Sequence, residues 1–97
     1  MRYIWDAAKD AVNRRKHGMS LEAAIPALED PARYFWIDDR YDYGEERIIT
    51  LGRGRHKVLV AVSAETTQAP NDEEIIRIIS VRKAVRKEVD WYYLGRS

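Results

Sequence analysis

Residues 47–63 read RIITLGRGRHKVLVAVS, and this stretch decides the fold. Two runs rich in β-branched residues, 47–51 and 57–63, flank the turn sequence Arg53-Gly54-Arg55. Apolar runs on either side of a short glycine-containing turn are typical of a β-hairpin. The stretch therefore predicts two antiparallel strands joined by a tight turn.

Two further strand candidates flank this hairpin, at 34–37 and 75–80, and both are rich in aromatic or β-branched residues. Because two of the links are short, we expect consecutive strands to pair as an antiparallel four-stranded meander. Residues 64–74 are predicted to form a polar loop.

Helices are predicted on both sides of the strands. Asp6 can cap a first helix that stops at Gly18, and Ser20 can cap a second, which Pro26 should bend or shorten. Ser80 can cap a final helix, whose flank carries the cations Arg82, Lys83, Arg86 and Lys87. The predicted fold is α+β, with two N-terminal helices, a four-stranded antiparallel sheet and a basic C-terminal helix.

The composition indicates one small domain in a reducing compartment. With 97 residues and 45% hydrophobic content, the chain can bury one core, so we expect a single domain over residues 1–97. The absence of cysteine excludes disulfides and thiolate chemistry. No apolar segment approaches the roughly 20 residues that cross a bilayer, and no signal segment is expected. These features predict a cytosolic protein without membrane contact.

The net charge of +1 conceals an uneven distribution. The segment 77–97 is rich in basic residues, namely Arg77, Arg82, Lys83, Arg86, Lys87 and Arg96, against Glu88 and Asp90. In the predicted helix, Arg82 and Lys83 fall in the first turn, where the helix dipole disfavours cations. An anionic ligand would relieve this cost, although side chains splayed into water are an equal alternative.

Arg77 interrupts a strand made otherwise of isoleucine, and alternation places it with Ile75 and Ile79. An arginine there must pair, snorkel or bind a ligand. Its strand should lie parallel to that of Arg47, about 10 Å away with one strand between. Arg47 and Arg77 are expected to converge if both point to the same side, and Arg82 lies beyond the strand.

Metal and cofactor chemistry is not predicted. His17 ends a helix and His56 follows a turn, and neither has metal-ligand spacing. The acidic run at 38–46 fails as a calcium loop, because Arg40 and Tyr43 occupy positions that need an oxygen ligand and a glycine. The aromatic residues are interpreted as core or partner surface more readily than as base-stacking platforms.

An ordered set of residues along nearly the whole chain resembles the BrnT family of type II toxins. The set is Trp5-Asp6, Lys9, Asn13, Lys16-His17-Gly18, Asp30-Pro31, Asp39-Arg40, Tyr43-Gly44-Glu45-Glu46-Arg47, Arg77-Ile78-Ile79-Ser80, Arg82, Ala84 and Glu88. The chain departs from the family pattern at Tyr41, where relatives often have histidine.

The resemblance implies a fold similar to the RelE-like ribonucleases and a toxin that inhibits translation and growth. It also implies neutralisation by a BrnA-type antitoxin, a ribbon-helix-helix protein. The expected complex is a 2:2 heterotetramer that binds operator DNA only through the antitoxin.

Residues and resemblance together suggest RNA cleavage by attack of the 2′-hydroxyl on the adjacent phosphate, without a metal. The assigned catalytic residues are Glu45 as base and Arg47, Arg77 and Arg82 as phosphate clamps. RNA positioning is assigned to Lys16, His17, Lys83 and Arg86, and Tyr43 or His17 is the candidate acid. The alternative is a module of the same fold that binds RNA or protein without cleaving it.

Overall fold

A five-stranded mixed sheet with helices on both faces forms the described part of the chain, residues 1–68 and 73–96 of a computed structural model. The strands are β1 (Arg2–Ile4), β2 (Tyr34–Ile37), β3 (Ile48–Arg53), β4 (Val58–Gln68) and β5 (Glu73–Lys83). The helices are α1 (Ala7–His17), α2 (Ile25–Leu28), which follows a 3-10 turn at Leu21–Ala24, and α3 (Arg86–Leu94). None of the helices in these residues is long and apolar enough to cross a membrane.

The strand order is β1-β5-β4-β3-β2, and β2 to β5 pair antiparallel in chain order, which confirms the predicted meander. The prediction of four strands was wrong, because β1 adds a fifth that runs parallel to β5. The predicted loop at 64–74 was also wrong at its ends, since β4 continues to Gln68 and β5 begins at Glu73. Its remaining part, 69–72, lies outside the described residues.

The first helix begins and ends at the residues predicted from its capping signals, and the second begins near its predicted start. The Asp6 carboxylate accepts hydrogen bonds from the Ala8 and Lys9 amides, and Gly18 ends α1 with a φ of 71°. The second helical segment is split into a 3-10 turn and the short α2, with Pro26 in the first turn of α2. Ser20 makes no side-chain cap bond there, which differs from the prediction.

The C-terminal helix begins at Arg86 rather than after Ser80, because β5 continues to pair with β4 as far as Lys83. Arg82 and Lys83 are therefore strand residues, and the predicted repulsion within a first helical turn does not arise. The helix α3 holds two basic and two acidic residues, Arg86, Lys87, Glu88 and Asp90. The prediction of a basic C-terminal helix was therefore wrong, because the basic and acidic residues of α3 are equal in number.

Two apolar layers cover the two faces of the sheet. On one face the core residues are Leu21, Ala24, Ala27, Leu59, Ala61, Ile78 and Val81. On the other face, below α3, they are Ile49, Leu51, Val58, Val60 and Ala84. We call these the α1 face and the α3 face. Gly52 permits the close approach of α2, because a Cβ there would lie 2.1 Å from the Ala27 carbonyl oxygen.

A bulge in β5 decides which side chains reach the α3 face. Val62 pairs with Ser80 and Ser63 with Ile78, so Ile79 has no partner on β4. Arg77 and Arg82 are five residues apart, which in a regular strand would put them on opposite faces. Because of the extra residue, they pair with Ala64 and Val60 and share the α3 face.

Candidate nucleic-acid interface

A groove of about 440 Å³ runs along the α3 face between the end of α1, the sheet and α3. Its charged and histidine lining residues are Lys16, His17, Arg40, Arg82, Lys87, Glu88 and Arg96. The floor is apolar, since Ile49, Val60 and Val62 line it from the sheet. A groove with cations above an apolar floor is suited to binding a ligand that carries both negative charge and flat or apolar groups.

Arg82 is held in this groove by a buried carboxylate. Its two terminal nitrogens each donate to Glu88, at 2.8 Å, in a bidentate pair. The Glu88 carboxylate also accepts from the Val85 amide at 2.9 Å, at the start of α3. The hydrogen bond to Glu88 raises the pKa of Arg82, and the same bond lowers the pKa of Glu88 despite its burial. The Arg82 side chain remains 40% exposed, so a fixed cation faces the groove.

Arg40 supplies a second fixed cation from the segment after β2. It donates to both oxygens of the buried Asp38, at 2.8 and 3.0 Å, and Tyr43 donates to the same carboxylate at 3.1 Å. These hydrogen bonds, led by that of Arg40, hold the pKa of Asp38 at about 2. Arg40 lies close enough to Arg82 for the two positive charges to repel each other, which lowers the pKa of Arg82 slightly against the effect of Glu88.

Two tryptophans form one wall of the groove. Trp36 and Trp91 meet edge to face with ring centroids 6.1 Å apart. The Arg96 guanidinium lies 4.4 Å from the Trp36 ring centroid, and the Lys87 ammonium lies 5.5 Å from that of Trp91. Aromatic rings next to cations are suited to nucleobases beside phosphates.

A second charged cluster lies on the same face next to this groove. Glu45 accepts a hydrogen bond from Arg77 and lies 3.6 Å from the Nε of Arg47. The Arg47 guanidinium stacks 4.0 Å from the ring centroid of Tyr43, and its buried Nε has no hydrogen-bond partner among the described residues. Glu45 thus brings Arg47 and Arg77 together, as their predicted convergence requires. The partners of Arg77 and Arg82 on β4, Ala64 and Val60, are four positions apart, or roughly 13 Å.

The structure divides the residues assigned from sequence into three groups. Lys16, His17 and Arg82 line the groove, whereas Glu45, Arg47 and Arg77 form the second cluster. Lys83 pairs with Leu59, which lies on the α1 face, so Lys83 points away from Arg82. Arg86 is 91% exposed, and its charged partner in the described chain is Asp90 at 3.7 Å.

Sequence reasoning assigned no site role to five groove residues, Arg40, Lys87, Arg96, Trp36 and Trp91, although it placed Lys87 and Arg96 in the basic segment 77–97. Their positions depend on where the segment after β2 and the helix α3 fold back over the sheet. Arg40 carried one signal, its two-residue spacing from Asp38, which permits the bidentate pair now seen.

Two other kinds of site are less well supported in the described part of the chain. A larger hollow of about 540 Å³ lies beside α2 and the turn after β3, but its lining is mostly apolar and holds two cations, Arg55 and Lys57, where the groove holds five. Within residues 1–68 and 73–96, no three His, Asp or Glu side chains come together to hold a metal ion. The groove on the α3 face is therefore the candidate interface.

A sheet that gathers fixed cations and tryptophans in a groove on one face defines a class, small α+β proteins with a surface for a polyanion. A family model described as "Ribonuclease toxin, BrnT, of type II toxin-antitoxin system" matches residues 5–88. The chain belongs to this BrnT family, which confirms the resemblance. Membership implies an antitoxin partner and an RNA target. No curated protein matches the chain.

Proposed function

We propose that the chain is an endoribonuclease that binds and cleaves RNA in the groove on the α3 face, acting as one toxin domain over residues 1–97. The observation that carries this proposal is the charge of the groove. Its lining holds Lys16, Arg40, Arg82, Lys87 and Arg96, while its one carboxylate is already bound to Arg82. The surplus of positive charge suits phosphates, and the tryptophans suit bases.

The proposed reaction uses the RNA's own 2′-hydroxyl and no metal. The 2′-oxygen gives its proton to a base and attacks the adjacent phosphorus, and the bond to the 5′-oxygen breaks as that oxygen takes up a proton from an acid. The products are a cyclic phosphate and a free 5′-hydroxyl. Arg82 and Arg40 stabilise the charge that develops on the phosphate oxygens, because their carboxylate partners fix them before substrate arrives.

His17 is assigned to proton transfer, because it lines the groove and imidazole is suited to this role near neutral pH. Glu45, the base expected from sequence, is engaged by Arg77 and Arg47. We assign it to positioning these two arginines, which would hold a neighbouring phosphate. Tyr43 is the weaker acid candidate, since burial and its bond to Asp38 raise its pKa.

The activity is tested with purified chain and end-labelled RNA in excess EDTA. Cleavage to cyclic-phosphate ends is expected, and His17→Ala should slow it, because His17 lines the groove and is assigned to proton transfer. A mobility shift without any cleavage would favour the alternative, a module that binds RNA or protein only.

The partner proposed for the cell is a BrnA-type ribbon-helix-helix antitoxin in a 2:2 complex in the cytosol, with operator DNA bound only through the antitoxin. An acidic or amphipathic segment laid over the groove would silence the enzyme by occupying its cations. The exposed Tyr93 and Leu94 on α3 extend this surface with apolar area.

Two variants separate antitoxin binding from RNA binding. Lys87→Glu should weaken binding of both ligands, because Lys87 lines the groove. Leu94→Lys should weaken the antitoxin alone, since Leu94 does not line it. An antitoxin affinity that neither variant changes would place the antitoxin on another face.

A further inference from the structure

The strand β2 is an outer edge of the sheet, and its outward backbone groups are free to pair. The Asp38 amide donates to the Arg47 carbonyl at 2.8 Å. In an antiparallel pair every second residue hydrogen-bonds to the neighbouring strand, so this bond determines which residues of β2 bond to β3 and which face outward. Trp36 therefore directs its backbone groups to β3. Phe35 and Ile37 direct theirs to the open edge.

The side chains of these two residues are also exposed. Phe35 is 57% and Ile37 55% exposed, both on the α1 face of the sheet. A solvent-facing edge strand with two large apolar side chains is prone to pairing with another strand, and proteins usually protect such edges with charge, proline or a covering element.

The charges around β2 indicate which strand fits. Arg33 precedes the strand and Asp39 follows the buried Asp38, so residues 33–39 read RYFWIDD. Both Arg33 and Asp39 are exposed, and neither is in an ion pair within the described chain. The segment is basic at its start and acidic at its end, so it is complementary to its own antiparallel copy.

Only one register satisfies both the hydrogen bonds and the charges. With Trp36 at the centre, Phe35 lies opposite the partner's Ile37 and Arg33 opposite the partner's Asp39. Phe35 and Ile37 are the residues with outward backbone groups, so each Phe35–Ile37 pair exchanges two hydrogen bonds. A register centred on Phe35 would place Arg33 opposite an isoleucine and leave Asp39 without a partner.

We propose that two copies of the chain pair through their β2 edges in this register, about a two-fold axis perpendicular to the sheet. The two sheets become one continuous sheet, and the contact is the same surface on both copies. Phe35 and the partner's Ile37 cover each other on the α1 face.

The pairing has a consequence on the α3 face. Trp36 lines the cationic groove and lies at the two-fold axis, so the two grooves meet there and form one longer surface. The pairing itself does not depend on RNA cleavage, and either proposal can fail alone. Because β2 has only four residues, we expect a Kd on the order of tens of micromolar.

Sedimentation equilibrium of the full chain, without antitoxin, tests the pairing over a micromolar concentration series. The mass should rise from that of one chain, 11.4 kDa, to twice that value. Arg33→Asp and Asp39→Arg should each weaken the dimer about tenfold, since each places like charges opposite one another twice per dimer. The double variant Arg33→Asp/Asp39→Arg should return to within about threefold of the wild type.

Ile37→Lys should abolish the dimer, whereas Val12→Lys on α1, at a position 48% exposed, is the matched control and should leave it intact. Circular dichroism checks that every variant is folded. A wild type that stays monomeric throughout the series, or a double reversal that remains as weak as the singles, would overturn the proposal. A monomeric wild type whose antitoxin affinity falls with Ile37→Lys would also overturn it and assign this edge to the antitoxin.

Discussion

Arg82 combines a fixed position with an exposed charge. The bidentate bond to Glu88 removes most of its conformational freedom, and Glu88 in turn holds the first turn of α3 through the Val85 amide. A cation that is already in place gains more from a developing negative charge than one that must first be ordered. Arg82 is therefore the residue on which the proposed chemistry depends most.

Arg82→Ala should reduce RNA cleavage by tenfold or more while the protein remains folded, because a lost charge-stabilising group typically costs on the order of 2.7 to 4 kcal/mol. Arg86→Ala is the matched control, since Arg86 is an arginine nearby that points into solvent. Initial rates with labelled RNA measure both. Equal losses in the two variants would mean that the groove is not the site of reaction.

Asp38 should make the protein sensitive to acid. Its folded pKa of about 2 lies below the ordinary value of 3.8, mainly because of the hydrogen bonds from Arg40. The stabilisation is therefore complete above about pH 4 and is lost as the pH falls toward 2. Asp38→Asn should lower the free energy of unfolding at pH 7 by about 1 kcal/mol, allowing for the exposure of Arg40.

Urea unfolding between pH 2 and 7 measures this linkage for Asp38. The difference in stability between the variant and the wild type should shrink as the pH falls toward 2, where Asp38 is protonated in the unfolded chain and about half protonated in the folded one. Asp42→Asn, at an exposed position in the same segment, is the control. If the difference in free energy of unfolding between Asp38→Asn and the wild type stays constant at all pH values, the charge of the Asp38 carboxylate does not stabilise the fold.

Beyond the end of β1, a side chain satisfies the backbone hydrogen bonds of β5 that no strand takes up. The Asn13 amide donates to the Val81 carbonyl at 3.0 Å, and its oxygen accepts from the Val81 amide at 3.1 Å. Asn13 thus takes the place of a neighbouring strand just beyond the bulge. It also ties α1, with Lys16 and His17 at its end, to the strand that carries Arg82.

Asn13→Ala should therefore cost on the order of 2 kcal/mol, because it leaves the buried backbone groups of Val81 without partners. Arg15→Ala, on the exposed side of α1, should change the stability little. Thermal unfolding compares the two variants. If Asn13→Ala unfolds at the same temperature as the wild type, water or a shifted backbone must satisfy the Val81 backbone groups in place of the Asn13 amide.

The fold could be predicted where local pattern and tertiary pairing agree. The bounds of β2 and the stops of α1 follow from residue type and capping alone. The start of α3 does not, because Val81 and Val85 fit a helical period while the pairing of β4 extends β5 through Lys83. The strand β1 has three residues, too few for a recognisable alternation.

The candidate site could be predicted only in part, for a related reason. Lys16, His17 and Arg82 were assigned from sequence and do share a groove. Arg40 and Arg96 come from segments far apart in the chain, and only the folded positions of these segments bring them to one place. A spacing pattern cannot carry this information.

The charge of the molecule as a whole is nearly balanced, yet its distribution is not. The net charge is +1, while the groove on the α3 face gathers five cations around one carboxylate. Binding of a polyanion should therefore depend on the local field of this face rather than on the overall charge.

RNA affinity should fall steeply with salt, because phosphates bound by the groove release counterions. Lys87→Ala should reduce the slope of log K against log salt by about 0.7 for a single strand. Lys83→Ala should leave the slope unchanged, because Lys83 lies on the α1 face. Fluorescence titrations at several salt concentrations measure both slopes, and the reverse order would place the RNA on the other side of the sheet.

The bulge at Ile79 also sets which changes in chain length this protein can accept. Between Arg77 and Arg82, β5 holds one residue more than its pairing with β4 requires. Deletion of Ile79 would restore regular pairing and keep both arginines on the α3 face. Insertion of one further residue would leave a second unpaired residue, turn Arg82 to the α1 face, or move Arg82 two positions further along β4. A spacing of four or five residues between the two arginines is therefore equivalent in space, while a spacing of six is not.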